Sequence, residues 1–496
     1  MKLANREDIR KFILQIEKDF PVNDWKFNQM HLWPLLRLEL FFFIRKQFNL
    51  KNKLNENSGQ VQVLNKKTVA SASESLVSRI VGKFSKSLQH LKFIGNLDEK
   101  ENVFFAHNDH RIIYEGVSYN RFFDTLINTL SLSQTSYMLE IGDKESKQLA
   151  NPGIIIQYRE QLENYKAYLS LRRFFTKEKI SFELEDYDLL LDFLNKNEVT
   201  KGFSEKFSKS KLRELVINEY NLRFLLFKKV LGKIKPKRLI ALCYYSDLSL
   251  IAAANKLNIE TIDMQHGAQA PAHLAYGSWS NIPAEGYNFL PRNYWCWNEQ
   301  SRSVISEWAV LTEKYRSFVG GNVWVDHWMG KNDPCSSTGF ILYTLQPDSL
   351  TLNQLFPDSL IREIRSGKHK WFIRLHPRQL KNSAEITAYL EQHGIFNLVN
   401  IDDATKEPLP LLLKHCLIHV TNSSASAIEA SLFGKKTILL HEIGKLYYAD
   451  LISESKAVFI APDPEFQVNF DKVLSSLKIT GEEQYIAPDY SRVFSQ

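Results

Sequence analysis

The stretch from Leu417 to Ile443 constrains the fold most, because it reads as one complete βαβ unit. An apolar run, Leu417–Val420, leads into a small polar cluster and a helical segment that stops at Gly434, and a second apolar run, Thr437–Leu440, follows. Strand, polar loop, helix, glycine stop and strand in this order predict a parallel crossover in an open α/β sheet. The polar loop is then expected at the carboxyl end of its strand, where such sheets bind ligands.

The residues of this loop suit an anionic ligand. Ser423, Ser424 and Ser426 carry hydroxyl groups, and the following helix is expected to offer free N–H groups and the positive end of its dipole. Glu429, about one turn into that helix, is placed to accept from a ribose hydroxyl. The alternative is that Asn422 or Ser423 is only a helix N-cap and that Glu429 is a solvated residue, and the loop alone does not separate these interpretations.

A second strand-like run, Glu260–Met264, ends in Gln, His266 and Gly267. An imidazole titrates near neutral pH, so His266 can act as an acid or base or bond a departing phosphate, and Gly267 lets the backbone approach a ligand closely. Asp247 follows another run, Arg238–Tyr245, and is a candidate base or nucleophile. The alternatives are a structural histidine and a helix N-cap.

A third run, Lys370–Leu375, leads into a basic turn. Arg374, His376 and Arg378 offer cationic or donor groups to phosphate oxygens, and Pro377 stiffens the turn. We therefore predict that this turn and the serine loop form the phosphate side of one site.

Polar residues also follow the short apolar run Val103–Ala106, in the order His107, Asn108, Asp109 and His110. A turn with capping residues is the favoured interpretation, and His107 and Asp109 are candidates for the acceptor side of a cleft. Metal binding is the weaker alternative, because one such cluster lacks further ligands. We predict no metal site and no cofactor.

Length and composition bound the class of protein. A chain of 496 residues exceeds one ordinary hydrophobic core, so two domains with additions are expected. Apolar residues make up 44% and charged residues 24%, which excludes disordered and collagen-like classes. The four cysteines show no CxxC spacing, which fits a reducing cytoplasm, and no run reaches the ~18 apolar residues of a spanning helix. No secretory signal is visible at the amino terminus.

The net charge of +7 is unevenly distributed, with twelve Lys and Arg against three Glu between Lys201 and Arg238. A solvated face is the default interpretation of such a run, and contact with anionic lipid is the alternative. The sequence has no zinc-finger, RNP-like or helix-turn-helix signature, which argues against a nucleic-acid partner.

We predict four regions along the chain. They are a helical N-terminal region (1–95), a Rossmann-like domain (96–332), a second Rossmann-like domain (333–480) and a tail that packs back on the first domain (481–496). The domain boundary lies in the polar linker Lys331–Thr338, and just before it Phe318–Val325 reads as one strand containing a glycine pair. A cleft between two such domains suits a nucleotide-linked substrate.

The elements MQHG, RLHPR and TNSSASAIEASLFGK, in this order, resemble GT-B glycosyltransferases of bacterial capsule and O-antigen biosynthesis, closest in character to the Kdo-transferase type. They resemble teichoic-acid glycerophosphotransferases and polysialyltransferases more distantly, and the carboxylate-carboxylate-glycine signature of the latter is missing. The resemblance spans about residues 238–460 and implies an α/β GT-B fold of two Rossmann-like domains facing a cleft. It also implies that residues 96–332 form the acceptor-side domain and residues 333–480 the nucleotide-sugar-binding domain. Donor binding is implied for His376, Pro377, Ser423, Ser424 and Glu429, with His266 in the active site.

From these features we expect a cytoplasmic, membrane-peripheral and metal-independent glycosyltransferase. It would move a sugar from a CMP- or UDP-linked donor, CMP-Kdo among them, to a lipid-linked surface glycan. A retaining enzyme would need a carboxylate nucleophile, for which Asp247 is the candidate. Two alternatives stay open: a nucleotide-sugar 2-epimerase of the same fold, and a non-catalytic scaffold of a polysaccharide assembly complex.

Overall fold

The computed structural model describes residues 3, 6–56, 76–142, 148–172, 180–331, 338–346, 350–477 and 488–494. Most of the polar stretch between Lys51 and Ser73, most of the linker Lys331–Thr338, and the start of the tail lie outside the described residues. The chain divides into two compact units. Unit 1 comprises Met1–Gly320 and Tyr490–Gln496, and unit 2 comprises Gly321–Asp489.

The strands of the described residues, in chain order, are β1 (Lys26–Phe27), β2 (Met30–His31), β3 (Asn102–His107), β4 (Arg111–Tyr114), β5 (Val117–Asn120), β6 (Ser136–Ile141), β7 (Ile155–Gln157), β8 (Phe182–Glu183), β9 (Arg238–Leu242), β10 (Glu260–Met264), β11 (Asn293–Cys296), β12 (Arg316–Val319), β13 (Ile341–Thr344), β14 (Trp371–Arg374), β15 (Val399–Asn400), β16 (Ile418–Thr421), β17 (Thr437–Leu439) and β18 (Ala457–Phe459). The helices are α1 (Arg6–Asp19), α2 (Trp33–Glu56), α3 (Leu76–Gly95), α4 (Phe123–Thr129), α5 (Tyr158–Arg172), α6 (Tyr187–Asn195), α7 (Lys201–Lys206), α8 (Lys209–Leu215), α9 (Leu222–Ile234), α10 (Leu248–Lys256), α11 (Glu299–Ala309), α12 (Val323–Met329), α13 (Leu352–Leu355), α14 (Asp358–Arg365), α15 (Ser383–Gln392), α16 (Asp402–Lys406), α17 (Leu409–His415), α18 (Ser426–Leu432), α19 (Glu442–Tyr447), α20 (Ala449–Ser453), α21 (Phe466–Ser475) and α22 (Ser491–Phe494).

Unit 1 is built on a seven-stranded parallel sheet with the order β12-β11-β10-β9-β3-β6-β7. The chain enters at β3, runs outward through β6 and β7, and then returns to the other side of β3 as β9. Strand order therefore reverses between β3 and β9, and open α/β sheets bind ligands at such a switch point, beyond the carboxyl ends of the strands.

The central strands of this sheet are buried on both faces, which is why they read as continuous apolar runs rather than as alternating ones. All five residues of β9 are buried, as are the first five of β3. Small residues allow close packing of the next helix, because Ala252, Ala253 and Ala254 of α10 are fully buried.

The amino-terminal helices belong to the same hydrophobic core. Buried residues of α1 and α2, among them Ile13 and Phe41, join one cluster with the sheet residues Val103 and Leu239. The helices also hold the irregular segment that follows β10, through Arg37 of a buried ion pair with Glu17.

Unit 2 contains a six-stranded parallel sheet with the order β15-β14-β13-β16-β17-β18. The chain runs from β13 outward to β14 and β15 and returns beside β13 as β16. The switch point of this sheet therefore lies between β13 and β16, and β16 is the first strand of the predicted βαβ unit.

The structure confirms the predicted fold class, with two Rossmann-like α/β units and helices at the amino terminus. One local prediction is wrong: Phe318–Val325 is not a single strand. Strand β12 ends at Val319, Gly321 adopts a φ of +77°, and α12 begins at Val323. Asn322 starts the helix, because its side chain accepts from the N–H groups of Trp324 and Val325.

No helix among the described residues combines the length and apolarity needed to cross a membrane.

Candidate functional site

The loops at the unit 2 switch point meet at Gln346, which follows β13. Its backbone carbonyl accepts from Gln379 Nε2 at 3.1 Å. Its side-chain Oε1 accepts from Thr421 Oγ1 at 3.3 Å, and its Nε2 donates to Ser423 Oγ at 3.4 Å. One buried glutamine therefore joins the loops after β13, β14 and β16, so the structure brings the serine loop and the His-Pro turn together.

The His-Pro turn is a capping box. His376 Nδ1 accepts from the Arg378 N–H at 3.1 Å, while the His376 N–H donates to Gln379 Oε1, also at 3.1 Å. Pro377 occupies the first position of the short helix that follows. His376 therefore shapes the turn, and the donor-binding roles of His376, Pro377 and Arg378 stay predictions.

Arg374 makes contacts that its sequence position does not reveal. Its Nη1 donates to the carbonyl of Ala404 at 2.6 Å and to the carbonyl of Glu407. These are carbonyls of α16 and of the residue just after it, so the guanidinium closes the end of that helix. Phosphate binding by Arg374 stays a prediction beside this structural role.

The serine loop is not capped as the alternative interpretation supposed. The N-cap of α18 is Ala425, which makes no side-chain capping bond. Asn422 Nδ2 donates instead to Tyr343 OH at 2.7 Å, and Ser424 Oγ accepts from the Ser426 N–H at 3.3 Å. Asn422 Oδ1 is buried without a hydrogen-bond partner among the described residues.

A buried polar network, which the sequence does not predict, connects α18 to the sheet. His419 Nε2 lies 2.8 Å from Thr344 Oγ1 and 3.2 Å from Ser426 Oγ, and its Nδ1 lies 3.0 Å from Thr437 Oγ1. Burial lowers the pKa of His419 to about 3, so the ring is neutral at physiological pH. Ser426 is therefore part of this internal network. Glu429 on the same helix is only 5% exposed, so the interpretation of it as a solvated residue is wrong.

The loop is braced from a second helix. A Cβ atom on Gly444 would lie 2.1 Å from the Asn422 carbonyl oxygen, so only glycine lets α19 approach this closely. Tyr448 OH also donates to the Ser423 carbonyl, at 3.2 Å. The backbone of the serine loop is thus fixed on two sides.

At the unit 1 switch point, the structure brings together rings from three strand ends. The ring centroids of His110, after β3, and His266, after β10, lie 5.4 Å apart in an edge-to-face arrangement. Tyr245, after β9, lies 6.5 Å from His266 and 6.0 Å from His273. The sequence predicts a role for His266 but none for His110 by itself, because nothing local shows that their loops meet.

Gln265 holds the loop that carries His266 and Gly267. Its Nε2 donates to the Gly267 carbonyl at 2.9 Å and to Ser301 Oγ at 3.0 Å, and its Oε1 accepts from the Trp297 N–H at 2.6 Å. This fully buried side chain ties the ends of β10 and β11 to α11, so the loop is rigid before any ligand binds.

Asp247 has the environment of a helix cap. Its Oδ1 accepts from the Ser249 N–H at 3.1 Å, and its Oδ2 lies 3.5 Å from Arg223 Nη1. Burial raises the pKa of the Asp247 carboxyl, and Arg223 opposes that shift. The N-cap interpretation is therefore confirmed, and the catalytic role stays a prediction.

The predicted acceptor-side residues form a local pair. His107 Nδ1 lies 3.2 Å from Asp109 Oδ1 and accepts from the Asp109 N–H at 3.1 Å. Both side chains are partly exposed, and Asn108 and His110 form one 3-10 turn with Asp109. The capping interpretation fits these contacts, and contact with an acceptor stays a prediction.

A cavity of about 660 Å³ opens at the opposite, amino edge of the unit 1 sheet. Glu260, Asn293 and Arg316, at the starts of β10, β11 and β12, are among the residues that line it. Because the polar loops follow the carboxyl ends of the strands, this cavity adds nothing to the switch-point site.

One group among the described residues has the composition of a metal site: Glu363, His369 and Asp471 in unit 2, whose ligand-type atoms lie within 4.8 Å of one another. Lys368 Nζ lies 3.4 Å from Asp471 Oδ2 and supplies a cation there. None of these residues belongs to the predicted site.

Asp263 leads to a prediction about pH. Burial raises the pKa of its carboxyl to about 8. The Tyr244 N–H, which donates to its Oδ1 at 2.7 Å, lowers the pKa but does not offset the effect of burial. The unfolded chain ionises near its usual pKa of 3.8, so this carboxyl favours folding fully below about pH 4 and loses that contribution as the pH rises toward 8. An asparagine at this position would not titrate, so Asp263→Asn should raise the thermal midpoint by several degrees at pH 8 and hardly at all near pH 4. Differential scanning fluorimetry across this range measures the difference, and a constant offset would contradict it.

The sequence matches no family model and no curated protein. Among solved structures, a UDP-GlcNAc 2-epimerase from Methanocaldococcus jannaschii is similar at 12% identity and a TM-score of 0.45, covering 79% of this chain and 98% of that one. The UDP-GlcNAc 2-epimerase of Neisseria meningitidis, bound to UDP-GlcNAc, is 13% identical over 76% of this chain and 92% of that one, with a TM-score of 0.41. The glycotransferase of kitacinnamycin is 10% identical over 76% and 90%, with a TM-score of 0.39. At these values the similarity concerns the arrangement of elements and carries no weight for ligand or reaction.

Proposed function

We propose that this protein is a glycosyltransferase that moves a sugar from a nucleotide-activated donor to a lipid-linked glycan acceptor. The observation that carries the proposal is the position of the predicted motifs. The serine loop follows β16 at the switch point of the unit 2 sheet, and His266 lies one strand from the switch point of the unit 1 sheet. Switch points are where open α/β sheets bind nucleotides and other small ligands.

Unit 2 is the proposed donor side. Its switch point presents hydroxyl and amide groups from three strand ends, and the Gln346 contacts hold them in fixed positions. Such preorganised neutral donors suit phosphate and ribose oxygens, because they bind without ordering the loops first. The nearby turn adds Arg378 as a cation for the diphosphate or monophosphate.

Unit 1 is the proposed side of the chemistry and the acceptor. Glycosyl transfer needs a base for the acceptor hydroxyl or an acid for the leaving phosphate, and an imidazole serves either purpose near neutral pH. His266 and His110 supply two such rings 5.4 Å apart. His107 and Asp109, on the loop after β3, are the proposed acceptor contacts.

The direct test is a panel of CMP-, CDP- and UDP-sugars screened by thermal shift, followed by product analysis with and without a lipid-linked acceptor. A ligand that binds only the folded state raises the midpoint. Sugar transfer that depends on acceptor supports the proposal, while conversion of a free donor into its 2-epimer would identify an epimerase. A chain that binds none of these donors would be a scaffold.

The donor side gives a sharper prediction. Ser423→Ala should weaken the affinity for the nucleotide of the active donor about 3- to 30-fold, because it removes one hydroxyl from a preorganised site. Isothermal titration calorimetry with the nucleotide measures it. Ser431→Ala is the matched control, since the Ser431 hydroxyl donates to the Ile428 carbonyl within α18, and it should leave affinity unchanged. Equal affinities for the two variants would remove the serine loop from the site.

A further inference from the structure

Helix α3 carries an apolar face that is exposed. Ile80, Val81, Phe84, Leu88 and Leu91 are each between 48% and 62% exposed. Their spacing places all five within an arc of roughly 100° on one side of the helix. Isolated apolar residues on a surface are ordinary, but a continuous stripe of five large ones on one helix indicates a partner.

The charged residues of the same helix are all cationic. Between Leu76 and Gly95 the sequence contains Arg79, Lys83, Lys86 and Lys92 and no Asp or Glu. The three lysines are exposed. Exposed Lys228 and Lys233 lie on α9, which contacts α3. An apolar stripe on a helix without acidic residues is the pattern of helices that lie in the interface of an anionic membrane.

The side of α3 away from the stripe packs against the rest of unit 1. Ser87 and His90 are buried, and His90 packs between Tyr165 and Tyr168 of α5 at ring distances of 5.0 and 5.1 Å. Burial lowers the pKa of His90 to about 4, so the ring anchors the helix as a neutral group. The stripe is therefore presented on a helix whose position is already fixed.

We propose that α3 is a membrane-docking helix, which inserts its apolar stripe into the headgroup region of anionic lipid while its lysines contact lipid phosphates. This surface includes Lys228 and Lys233 of the basic run at Lys201–Arg238 that the sequence suggested, and it adds apolar insertion to their charge. A protein partner is the less favoured occupant, since a cationic face of this kind gains most from a dense anionic surface. The inference does not depend on the proposed transferase activity.

Flotation with vesicles tests the proposal without any nucleotide. The 496-residue chain should float with vesicles in which a third of the lipid is phosphatidylglycerol and much less with phosphatidylcholine alone. Phe84→Ser with Leu88→Ser should lower the partition coefficient at least about tenfold, because it removes two large apolar side chains from the inserted stripe. Lys83→Glu with Lys86→Glu should also reduce binding at least about tenfold and remove most of its salt dependence.

The matched control is Leu189→Ser on α6, a single apolar side chain that is 56% exposed and belongs to no stripe. It should bind vesicles like the wild type, and all variants should keep the wild-type thermal midpoint. If the wild type does not float, or if neither double variant changes flotation, the proposal is overturned. Sedimentation velocity tests whether a second copy of the chain covers the stripe instead. A dimer that is lost in the Phe84/Leu88 double variant, in a protein that does not bind vesicles, would show a contact between copies and would also overturn the proposal.

Discussion

Replacing His266 by Gln is expected to lower the rate of sugar transfer by about 100- to 10,000-fold while leaving nucleotide affinity unchanged. The reason is its position at the end of β10 in unit 1, beside His110 and Tyr245, whereas the groups proposed to hold the donor belong to unit 2. Glutamine can still form hydrogen bonds but cannot exchange a proton near neutral pH. A loss confined to turnover therefore reports acid or base chemistry rather than binding.

Nucleotide release from the active donor, measured with acceptor present, gives the rate, and calorimetry with the free nucleotide gives the affinity. His110→Gln is the companion variant, because its ring lies 5.4 Å from His266 and is the second candidate for the same proton. If only His110→Gln loses turnover, the assignment moves to that residue. A His266→Gln enzyme that works within threefold of the wild type would remove His266 from the chemistry altogether.

The parts of this site that lie directly after strands could be predicted from the sequence. His266 and Ser423 stand out locally, because each comes shortly after an apolar run, and the end of a strand is a position that a sequence reveals. The order of strands was not predictable to the same degree. The sequence predicts parallel crossovers, but the return of β9 beside β3 and of β16 beside β13 depends on tertiary packing.

The residues that hold the loops cannot be predicted from the sequence, for a related reason. Gln265 and Gln346 are ordinary polar residues after strands, and their importance comes from partners far along the chain. Gln346 bonds Ser423, 77 residues away, and Gln265 bonds Ser301, 36 residues away. A single sequence contains no signal for such pairs, whereas the cap formed by Asp247 two residues before Ser249 was a local and therefore predictable feature.

The contacts of the amino-terminal helices are even harder to predict, because the sequence there shows no group of residues with recognisable chemistry. Arg37 of α2 is fully buried, and its Nε donates to Glu17 Oε1 of α1 at 2.8 Å. Its Nη atoms donate to the carbonyls of Leu274, Gly277 and Ser278 in the segment that follows the His266 loop. The pair therefore fastens the segment between β10 and β11 to helices more than 200 residues earlier in the chain.

Both carboxylate oxygens of Glu17 accept hydrogen bonds in the same arrangement. Its Oε1 also accepts from Trp33 Nε1 at 3.0 Å, and its Oε2 accepts from the Ser280 N–H at 3.0 Å and from Ser280 Oγ at 2.5 Å. The Arg37 guanidinium in turn lies 3.9 Å from the centroid of the Trp279 ring. Arg37 and Glu17 are both buried and hydrogen-bonded. Removing one of them therefore leaves the other buried without its counterion.

We therefore expect Arg37→Ala to lower the free energy of unfolding of unit 1 by about 3–5 kcal/mol. Urea denaturation followed by tryptophan fluorescence measures the change as a lower midpoint, because six of the nine tryptophans lie in unit 1. The exposed pair Lys206–Glu39, 3.2 Å apart and also involving α2, is the matched control, and Lys206→Ala should cost no more than about 1 kcal/mol. Arg37→Met combined with Glu17→Met should recover part of the loss, because no uncompensated charge remains. If Arg37→Ala unfolds at the wild-type urea concentration, the ion pair does not fasten the segment, and the helices stabilise it through apolar contacts alone.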